Sequence, residues 1–463
     1  MIWSTDGLPA QWPVQSLSAL TSKVGSGATP RGGAAAYAKS GIPLIRSQNV
    51  RFEGFAHQGL AFLSDRQAQQ LDNVKVESGD VLLNITGASI GRVSIAPQDM
   101  SGARVNQHVC IIRPRDTVLS YFLAAYLSAP QIQDAIAIGN YGVTREALTK
   151  SQVLEIPVPV PDLPEQEAIV SRLGSIGTKR LSALAHTAVA RRAIERFRQA
   201  ILAAACSGRL TADWRDANPD VRSVDQALAK LPSRKRGASL HDDLSDLLLP
   251  DLPDSYIVST VGRASTVLEY GTSRRADAAS STGVPILRMG NIQDGQLELE
   301  DLKYISLDRE IERLMLEDGD LLFNRTNSPE LVGKSAVFHE QTPMTFASYL
   351  IRVRFAPEVA EPDFVHFWIN SAWGKAWARQ VKNDGVSQSN INGTKLGAMP
   401  LPLPPIEEQR EVVHRASRML ELADGLLARI EVAARRVDFS SQAVLAKAFR
   451  GGLPVPAYEG SQP

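Results

Sequence analysis

The sequence predicts an α+β protein made as a tandem repeat: two mixed α/β globules, each followed by a long helix, with the two helices packed as an antiparallel coiled coil. Three observations lead to this prediction. Segments of the first half return in the same order in the second half, each copy passes from short strand-like runs to helical spacing, and the same proline-rich phrase stands at both transitions. With 463 residues the chain also exceeds what one hydrophobic core usually organises.

The repeat covers nearly the whole chain at an almost constant offset of 240 to 244 residues. The matching pairs are LPAQWPV (Leu8) with LPDSYIV (Leu252), GIPLIRSQNV (Gly41) with GVPILRMGNI (Gly283), ESGDVLLNITGASIGR (Glu77) with EDGDLLFNRTNSPELVGK (Glu317), PVPVPDLPEQEAI (Pro157) with PLPLPPIEEQREV (Pro400), and QAILAAACSGRL (Gln199) with QAVLAKAFRGGL (Gln442). Chance matches between short motifs would not keep one offset. The chain is therefore two copies of one unit.

The first part of each copy, residues 8–160 and 252–403, is rich in β-branched runs separated by Gly, Asn and Pro. GDVLLNI and GDLLFNR are predicted as buried strands entered through a turn, and HVCIIRP and YLIRVRF as further strands. YFLAAYLSAPQIQDAIA and DFVHFWINSAWGKAWARQV have helical spacing. Each first part is therefore expected to be a mixed α/β globule.

The second part of each copy has the pattern of a long helix. In the second copy the apolar positions alternate spacings of four and three, as in a heptad repeat: Val412, Ala416, Met419, Ala423, Leu426, Ile430, Ala433 and Val437. In the first copy the seam begins at Ile169, Leu173 and Ile176 and is predicted to shift, as at a stutter, to Leu181, Leu184 and Ala188. Two helices of about forty residues that each need a partner most simply pack on each other, and antiparallel pairing would send the globules to opposite ends. Gly208 and Gly451 stand where helix C-caps belong.

The phrases at Pro157 and Pro400 mark the exits from the two globules. Because proline lacks a backbone N–H, we expect the alternating prolines to extend neither a sheet nor a helix, and to form a stiff extended connection. The Glu-Gln pair that follows would begin the helix, where an acid suits the positive end of the helix dipole.

These patterns divide the chain into six segments: a first globule (1–160), a first helix (161–210), a linker (211–251), a second globule (252–403), a second helix (404–453) and a C-terminal tail (454–463). The linker is polar and poorly periodic, with one short helix predicted at SVDQALAKL. Its run Arg234-Lys235-Arg236 is more typical of a solvated linker than of a phosphate contact.

Composition narrows the function. The formal net charge is zero, which argues against nonspecific polyanion binding but allows local basic loops. Two cysteines without partners at metal-ligand spacing fit a reducing cytoplasm and make a zinc or disulfide scaffold improbable. The N-terminus lacks the pattern of a signal peptide, and no apolar run is long enough to span a membrane. A cytoplasmic location is expected.

The sequence offers no catalytic centre. SPELVGKS imitates a phosphate-binding loop but has Ser328 where the motif needs glycine. The amino-methyltransferase signature Asn/Asp-Pro-Pro-Tyr/Phe is absent, the seven scattered histidines suggest no Ser/His/Asp or Cys/His set, and no nuclease-like Asp…Glu-x-Lys cluster stands out. His108 and His339, at strand ends, are expected to be structural.

Taken together, the two Pro-x-Pro-x-Pro…Glu-Gln phrases, the GDLLFNR…VGK globules and the LP…W opening resemble the DNA-specificity (S) subunit of type I restriction-modification enzymes. The resemblance covers nearly the full chain. It implies that the globules are target recognition domains, each binding one half of a bipartite asymmetric DNA sequence, and that the helices are spacer regions that set the gap and dock the methyltransferase subunits. One departure is Pro164, just before Glu165, where proline is tolerated at a helix start.

The resemblance also implies partners and cofactors. The partners would be double-stranded DNA, two methyltransferase (modification) subunits and two restriction (translocase-nuclease) subunits, with no membrane. This chain would be non-catalytic and hold no cofactor or metal, since S-adenosylmethionine, ATP and magnesium would bind the partner subunits. The helix residues expected to bind partners are Glu165, Gln166 and Ile169 with Glu408, Gln409 and Val412.

Base-reading residues should be Arg, Asn, Gln or similar side chains on loops that differ between the two copies, because copies of one fold that read different sequences share only the framework. This criterion selects Gln48, Ser89, Arg92, Thr144 and Arg145 in the first copy, and Arg325, Asn327, Lys334, Ser387, Gln388 and Asn390 in the second. Arg31, Arg274 and Arg275 are expected to contact phosphates. The shared pairs Arg46/Arg288 and Asn49/Asn291 could contact DNA or form framework hydrogen bonds.

Two other functions stay open at this point. A combined methyltransferase-nuclease would need the missing methylation motif. A structural coiled-coil scaffold with two protein-binding lobes would show no sequence-selective retention of DNA when the methylation partner is supplied.

Overall fold

A computed structural model describes residues 3–30, 32, 36–139, 147–232, 249–276, 283–328, 331–384 and 388–453. The chain forms two compact units, residues 1–188 with 431–463, and residues 189–430. Each unit therefore contains one globule and a portion of both long helices.

The globule of the first unit is built on two small sheets with strand orders β2-β10-β7-β8 and β6-β3-β9, and two strand pairs, β1-β11 and β4-β5. Its strands are β1 (Val14–Ser16), β2 (Thr21–Ser26), β3 (Ile42–Ile45), β4 (Val50–Arg51), β5 (Gly54–Phe55), β6 (Ala61–Leu63), β7 (Val81–Asn84), β8 (Val93–Ile95), β9 (Arg104–Val105), β10 (Val109–Pro114) and β11 (Pro157–Pro159). Its helices are α1 (Leu17–Leu20), α2 (Asp65–Gln69), α3 (Ser120–Leu127), α4 (Pro130–Gly139), α5 (Lys150–Leu154) and the first part of α6 (Leu163–Cys206).

The second unit repeats this plan. Its sheets have the orders β13-β22-β18-β20 and β17-β14-β21, with pairs β12-β25 and β15-β16 and one further sheet, β19-β24-β23. The strands are β12 (Ile257–Thr260), β13 (Ser265–Tyr270), β14 (Val284–Leu287), β15 (Ile292–Gln293), β16 (Gln296–Leu297), β17 (Lys303–Ile305), β18 (Leu321–Asn324), β19 (Thr326–Asn327), β20 (Ser335–Val337), β21 (Thr345–Phe346), β22 (Leu350–Phe355), β23 (Asn383–Asp384), β24 (Ser389–Asn390) and β25 (Pro400–Leu403). Its shorter helices are α7 (Ala212–Ala217), α8 (Asp225–Lys230), α9 (Val261–Ala264), α10 (Arg309–Arg313), α11 (Pro362–Asn370), α12 (Ala372–Val381) and α13 (Gly393–Gly397).

Strand directions repeat as well as strand order. β3 pairs antiparallel with β6 and parallel with β9, and β14 pairs antiparallel with β17 and parallel with β21. The tandem repeat of a mixed α/β globule, predicted from the sequence, is confirmed.

The predicted buried strands form the centre of each globule. All four residues of β7 and of β18 are buried, and an acid just before each strand is clamped by an arginine of the neighbouring strand. Arg113 Nε donates to Asp80 at 2.8 Å, and Arg354 Nε donates to Asp320 at 2.7 Å. The clamp raises the pKa of both arginines and keeps each buried carboxylate paired.

The long helices are α6 and α14 (Ile406–Ala448), which run antiparallel where they meet within each unit. In the first unit Arg180 forms an ion pair with Asp438 at 2.7 Å, while Ile169 shares a core with Phe449. In the second unit Arg198 pairs with Asp424. The predicted antiparallel helix pair is confirmed.

The predicted seam is correct in period but wrong in phase at several positions. Leu426 and Ala433 are exposed, and the half-buried positions are Leu427 and Ala434. In α6, Leu181 and Ala188 are exposed, and the heptad spacing continues without a stutter through two half-buried polar residues, Arg180 and Thr187. A 3.6-residue helix turn drifts against a 3.5-residue repeat, so apolar residues beside the seam mimic it in sequence.

The proline phrases differ from the prediction because they do extend a sheet. Pro157–Pro159 pairs with Val14–Ser16, and Pro400–Leu403 pairs with Ile257–Thr260, each as a two-stranded antiparallel ladder. Every second residue of an edge strand points its N–H away from its partner, so alternating prolines lose no ladder hydrogen bond. Each phrase thus joins the end of its globule to the beginning.

Both helices end as predicted at glycines in the left-handed region, Gly208 (φ 74°) and Gly451 (φ 72°). The described part of the predicted linker, 211–232 and 249–251, contains the helices α7 and α8. α8 forms within the predicted SVDQALAKL helix, and its Val224 and Leu228 are buried in the core of the second unit. Arg234, Lys235 and Arg236 lie outside the described residues. Across the described residues, no helix has the length and hydropathy of a membrane span.

Candidate nucleic-acid interface

In the second unit, two loops that differ between the copies are joined into one sheet. β19 (Thr326–Asn327) pairs with β24 (Ser389–Asn390), which pairs with β23 (Asn383–Asp384); we call these three short strands the polar ribbon. Asn390 Nδ2 donates to Thr326 Oγ1 at 2.7 Å. The structure therefore brings together the predicted readers Asn327 and Asn390, with the exposed Gln388 one residue before β24. Ser387 lies outside the described residues.

Arg325, just before the ribbon, is half-buried, and its side chain is held by contacts within the globule. Its guanidinium lies 4.8 Å from the centroid of the Tyr270 ring and donates to the Ser348 carbonyl at 3.2 Å. Its Nε is buried and has no hydrogen-bond partner in the described part of the chain. Asn327 Oδ1 accepts from the Ser328 N–H at 2.8 Å, which leaves its amide group available as a donor.

Lys334 is separated from the ribbon by the direction of its side chain. Its Nζ donates to Gln293 Oε1 at 3.0 Å and lines a cleft of about 950 Å³ between α6, α12, α14 and the β15–β16 hairpin. That contact makes Lys334 part of the cleft and not of the ribbon.

In the first unit, Gln48 and Ser89 come from different loops that one buried residue connects. Asn84 Nδ2 donates to the Ser47 carbonyl at 2.9 Å and to Ser89 Oγ at 3.2 Å. Gln48 is exposed and donates to the Gly59 carbonyl at 2.8 Å. Arg92 is half-buried and forms no side-chain hydrogen bond or ion pair with any residue that is described. Thr144 and Arg145 lie outside those residues.

Sequence reasoning missed this connecting asparagine. Asn84 and Asn324 end the matching strands β7 and β18, and both are fully buried. Asn324 Nδ2 and Oδ1 have no hydrogen-bond partner among the described residues. The sequence does contain a sign of this role: an asparagine ends the same apolar strand in both copies. A buried amide needs hydrogen-bond partners, so such a position indicates a structural or binding function.

The shared arginine and asparagine pairs form framework hydrogen bonds. The backbone N–H of Arg46 donates to Asn49 Oδ1 at 3.0 Å, and that of Arg288 donates to Asn291 Oδ1 at 2.9 Å. The guanidinium of Arg46 donates to the Gly59 carbonyl, and that of Arg288 pairs with Asp301 at 3.0 Å. DNA contact by the two arginines stays a prediction.

Of the predicted phosphate contacts, Arg274 is already paired with Asp308. The Ile311 N–H and then Arg274 hold the pKa of Asp308 below its usual range. Arg275 is exposed and has no ion-pair partner within the described ranges. Arg31 lies outside them.

Five of the six predicted partner-binding residues are buried within their own units, and Glu165 is half-buried. Gln166 Oε1 accepts from the Leu119 N–H at 2.9 Å, and Gln409 Oε1 accepts from the Glu361 N–H at 2.8 Å. Each glutamine also donates to two carbonyls, those of Thr117 and Pro161 or those of Val359 and Pro404. We call this arrangement the glutamine clasp, because it fixes the helix start to its globule.

The neighbouring glutamates bind the aromatic residue of the opening LP phrase. Glu165 Oε2 accepts from the Trp12 indole at 3.1 Å, and Glu408 Oε1 accepts from the Tyr256 hydroxyl at 3.2 Å. Ile169 and Val412 lie in the cores of their units. Docking of partners by these six side chains stays a prediction, and their present contacts hold each helix against its globule.

Glu408 is the centre of a buried charged cluster. It is fully buried and accepts hydrogen bonds from Thr211 Oγ1 at 2.8 Å and Arg215 Nη2 at 2.7 Å. Burial, followed by the charge of Glu408, raises the pKa of Tyr256. The segment predicted as a linker thus supplies the cation that neutralises the Glu408 carboxylate.

His108, His339 and the two cysteines have contacts typical of structural residues. His108 Nδ1 contacts Thr86 Oγ1, and His339 lies between Asp318 (2.7 Å) and Asp363 (3.1 Å), which raise its pKa to about 9. Cys110 and Cys206 are free thiols, and burial raises the pKa of Cys110 to about 12. Within the described ranges, no three His, Cys, Asp or Glu side chains are arranged to hold a metal ion.

Comparison with known proteins agrees with this geometry. Residues 19–184 match the family model of the type I restriction modification DNA specificity domain. The chain is 25% identical to the EcoKI specificity subunit of Escherichia coli K12, over 97% of this chain and 91% of that one. It is 28% identical to the EcoBI specificity subunit of Escherichia coli, over 76% of this chain and 69% of that one.

A solved structure from work on the assembly and conformational transition of a type I restriction-modification system has the same fold. Its TM-score is 0.69 at 18% identity, covering 96% of this chain and 99% of the other. The repeated globules, the antiparallel helices and the full-length similarity agree. Residues 19–184 therefore carry a type I restriction modification DNA specificity domain, and the chain is similar over most of its length to specificity subunits of type I restriction enzymes.

Proposed function

We propose that this chain recognises a bipartite, asymmetric DNA sequence for a type I restriction-modification complex, with one globule binding each half. The main observation behind the proposal is that both globules have the same framework but different polar loops. The clamps, clasps and strand orders repeat, while GASI in the first copy corresponds to NSPELV in the second. Loops that vary on a constant framework are what two readers of different sequences require.

The polar ribbon supports major-groove reading in the second unit. A two-stranded β-ribbon fits the major groove, and β19 and β24, two of the three strands of the polar ribbon, form such a pair; amide side chains bind adenine edges there. Asn390 and the exposed Gln388 offer such groups. In the first unit, the corresponding candidates are Gln48 and Arg92, whose guanidinium has no ion-pair partner among the described residues, and arginine suits guanine.

The helices would set the gap between the half-sites and dock two modification subunits, which in turn carry two restriction subunits. Large apolar side chains remain exposed on both helices, as docking requires: Leu181, Val189 and Phe197 on α6, and Leu422, Leu426, Val432 and Phe439 on α14. S-adenosylmethionine, ATP and magnesium would bind the partner subunits, and this chain would contribute binding without catalysis.

The proposal is tested by sequencing the methylome of cells with and without this gene. Loss of a single bipartite adenine-methylation motif in the deletion strain is the expected result. An unchanged methylome would reject the recognition role and favour the coiled-coil scaffold. Restoring the gene on a plasmid controls for indirect effects of the deletion.

A further inference from the structure

Helix α12 has basic side chains on one side, and the proposed DNA recognition assigns no role to them. Lys375 and Arg379 are four residues apart and share one side of α12, Lys382 follows the last residue of the helix, and all three line the cleft of the second unit. Trp377 lies on the opposite side of α12 and packs into the core of the second unit, and Gly374 and Ala378 are buried as well. The sequence of α12, AWGKAWARQV, contains no acid.

The first two of these cations have no charged or hydrogen-bonding side-chain partner in the part of the chain that the structure describes. Lys375 and Arg379 are exposed, and neither forms an ion pair or side-chain hydrogen bond with any described residue. Four carboxylates line the same cleft, but they come from α6, α14 and the β15–β16 region: Glu195, Asp294, Glu298 and Asp424. Asp424 is occupied by Arg198. Of the other cations that line the cleft, Arg198 pairs with Asp424 and Lys334 donates to Gln293, so the cations without such a partner among the described residues lie on α12.

The position of α12 connects this charge to the polar ribbon. The helix ends at Val381 and β23 begins at Asn383, so the basic face leads directly into the ribbon. Lys395 fixes this junction by donating to the Asn383 side-chain oxygen at 2.8 Å and to the Val381 carbonyl. A ribbon in a DNA groove has a row of phosphates on each side, because the backbones form the groove walls.

The first unit lacks the equivalent charge. The corresponding helix α4, PQIQDAIAIG, has no lysine or arginine. Gln133, at the position of Lys375, instead donates to the Gly91 carbonyl at 2.9 Å and the Leu127 carbonyl at 2.6 Å. The two copies therefore differ in charge at the same place in the fold, although their framework is the same.

We infer that Lys375 and Arg379 are positioning residues that bind DNA phosphates beside the half-site recognised by the second unit. The inference rests on the proposed function. It adds phosphate binding that does not depend on the base sequence, and α4 of the first unit has no cation to provide the same contact. The two residues are about 6 Å apart along the helix, so both face the same short stretch of a DNA backbone. Phosphate contacts fix register and orientation without reading bases.

The test measures binding by the chain assembled with its modification subunits, using fluorescent duplexes that carry either the methylated motif or a scrambled sequence. Affinity is followed from ~50 to ~200 mM salt for the wild type and a Lys375→Gln/Arg379→Gln variant. Each lost phosphate contact lowers the slope of log affinity against log salt by about 0.9, so the expected decrease is about 2. Both duplexes should weaken by the same factor, and the methylated motif should stay unchanged.

Two control variants sharpen the result. Lys375→Arg/Arg379→Lys keeps both charges and should keep the wild-type slope. Arg66→Gln/Arg309→Gln removes two exposed charges from the matching helices α2 and α10 and should leave the slope unchanged. An unchanged slope in the α12 variant, an equal change in the α2/α10 variant, or an altered motif would overturn the inference. Failure of the wild type to prefer its motif would instead reject the proposed function.

Discussion

Gln409 Oε1 accepts a hydrogen bond from the Glu361 N–H at 2.8 Å, and its Nε2 donates to the Val359 and Pro404 carbonyls at 2.9 Å each. This clasp holds the start of α14 against its globule. Gln409→Ala leaves the Val359 carbonyl and the Glu361 N–H without this partner, and we expect a loss of about 2–4 kcal/mol in the free energy of unfolding. Urea unfolding measures this loss in the free energy of unfolding. The control is Gln380→Ala, at an exposed position of α12, which should change the free energy of unfolding by less than about 0.5 kcal/mol. Equal stability of both variants would show that the clasp contributes nothing.

The pair of Arg215 and Glu408 predicts strong coupling. Arg215→Ala removes the cation from a fully buried carboxylate and should destabilise the second unit by about 3 kcal/mol. Adding Glu408→Gln to that variant removes the unpaired charge and should restore a substantial part of the loss. A double-mutant cycle in urea measures the coupling. Additive effects of the two substitutions would contradict the assignment of Arg215 as the neutralising partner.

Two glycines of the first unit should respond oppositely to alanine. Gly451 has φ 72°, and a Cβ there would lie 3.2 Å from Pro9 Cβ and 2.8 Å from Gln11 Nε2. Gly451→Ala should therefore cost about 1 kcal/mol or more. Gly174 lies within α6 with nothing within 4 Å of the added Cβ, and Gly174→Ala should stabilise by about 0.5–1 kcal/mol. Thermal unfolding distinguishes them, and two shifts of the same sign would contradict the cap geometry.

Two histidines should give the second unit a stability maximum near neutral pH. Desolvation lowers the pKa of His366 to about 4, and its Nδ1 lies 3.1 Å from Asn370 Nδ2. Because the unfolded chain binds this proton more tightly, stability is full above about pH 6.5 and falls as pH drops towards 4. Asp363 and then Asp318 raise the pKa of His339 to about 9, so its contribution is full below about pH 6.5 and is lost as pH rises through 9.

Urea unfolding at several pH values, followed by tryptophan fluorescence, checks both signs. His366→Asn should flatten the acid side alone, and His339→Asn the alkaline side alone. A variant that alters the opposite side would show that the assignment of the titrating group is wrong.

The framework of strands and helices could be predicted because its sequence pattern occurs in both copies. Strands β7 and β18, the C-terminal glycines and the helix lengths all follow from patterns that recur at one offset, so each copy supports the prediction for the other. The proline strands could not be predicted from proline chemistry alone, because their ladders depend on which N–H groups face Val14–Ser16 and Ile257–Thr260.

Loop contacts were less predictable, because each depends on a partner distant in sequence. The position of Lys334 is set by Gln293 and that of Arg325 by Tyr270, contacts that no local spacing encodes. Burial of Glu408 likewise depends on Arg215, in a segment whose polarity is typical of a linker. Comparison of the two copies identifies the loops that differ between them. Tertiary packing then decides which side chains of those loops are free to contact DNA.

The amide groups of the polar ribbon predict a change in specificity confined to one half-site. Asn390→Ala keeps the backbone pairing with Thr326 but removes an amide, and should relax the motif at about one base pair of one half by roughly 1–3 kcal/mol. Competition binding with single-base variants of the target measures this loss. Asn370→Ala, in the cleft away from the ribbon, is the matched control and should leave the motif intact.

The central claim is that two globules read two halves of one DNA sequence, and an exchange of one globule tests it most directly. Residues 1–150 are replaced by those of a related specificity subunit, and the methylome of cells carrying the modification subunits is sequenced. We predict a new bipartite motif in which one half and the spacing between halves are unchanged. A motif altered in both halves, or one that remains unchanged, would contradict the account.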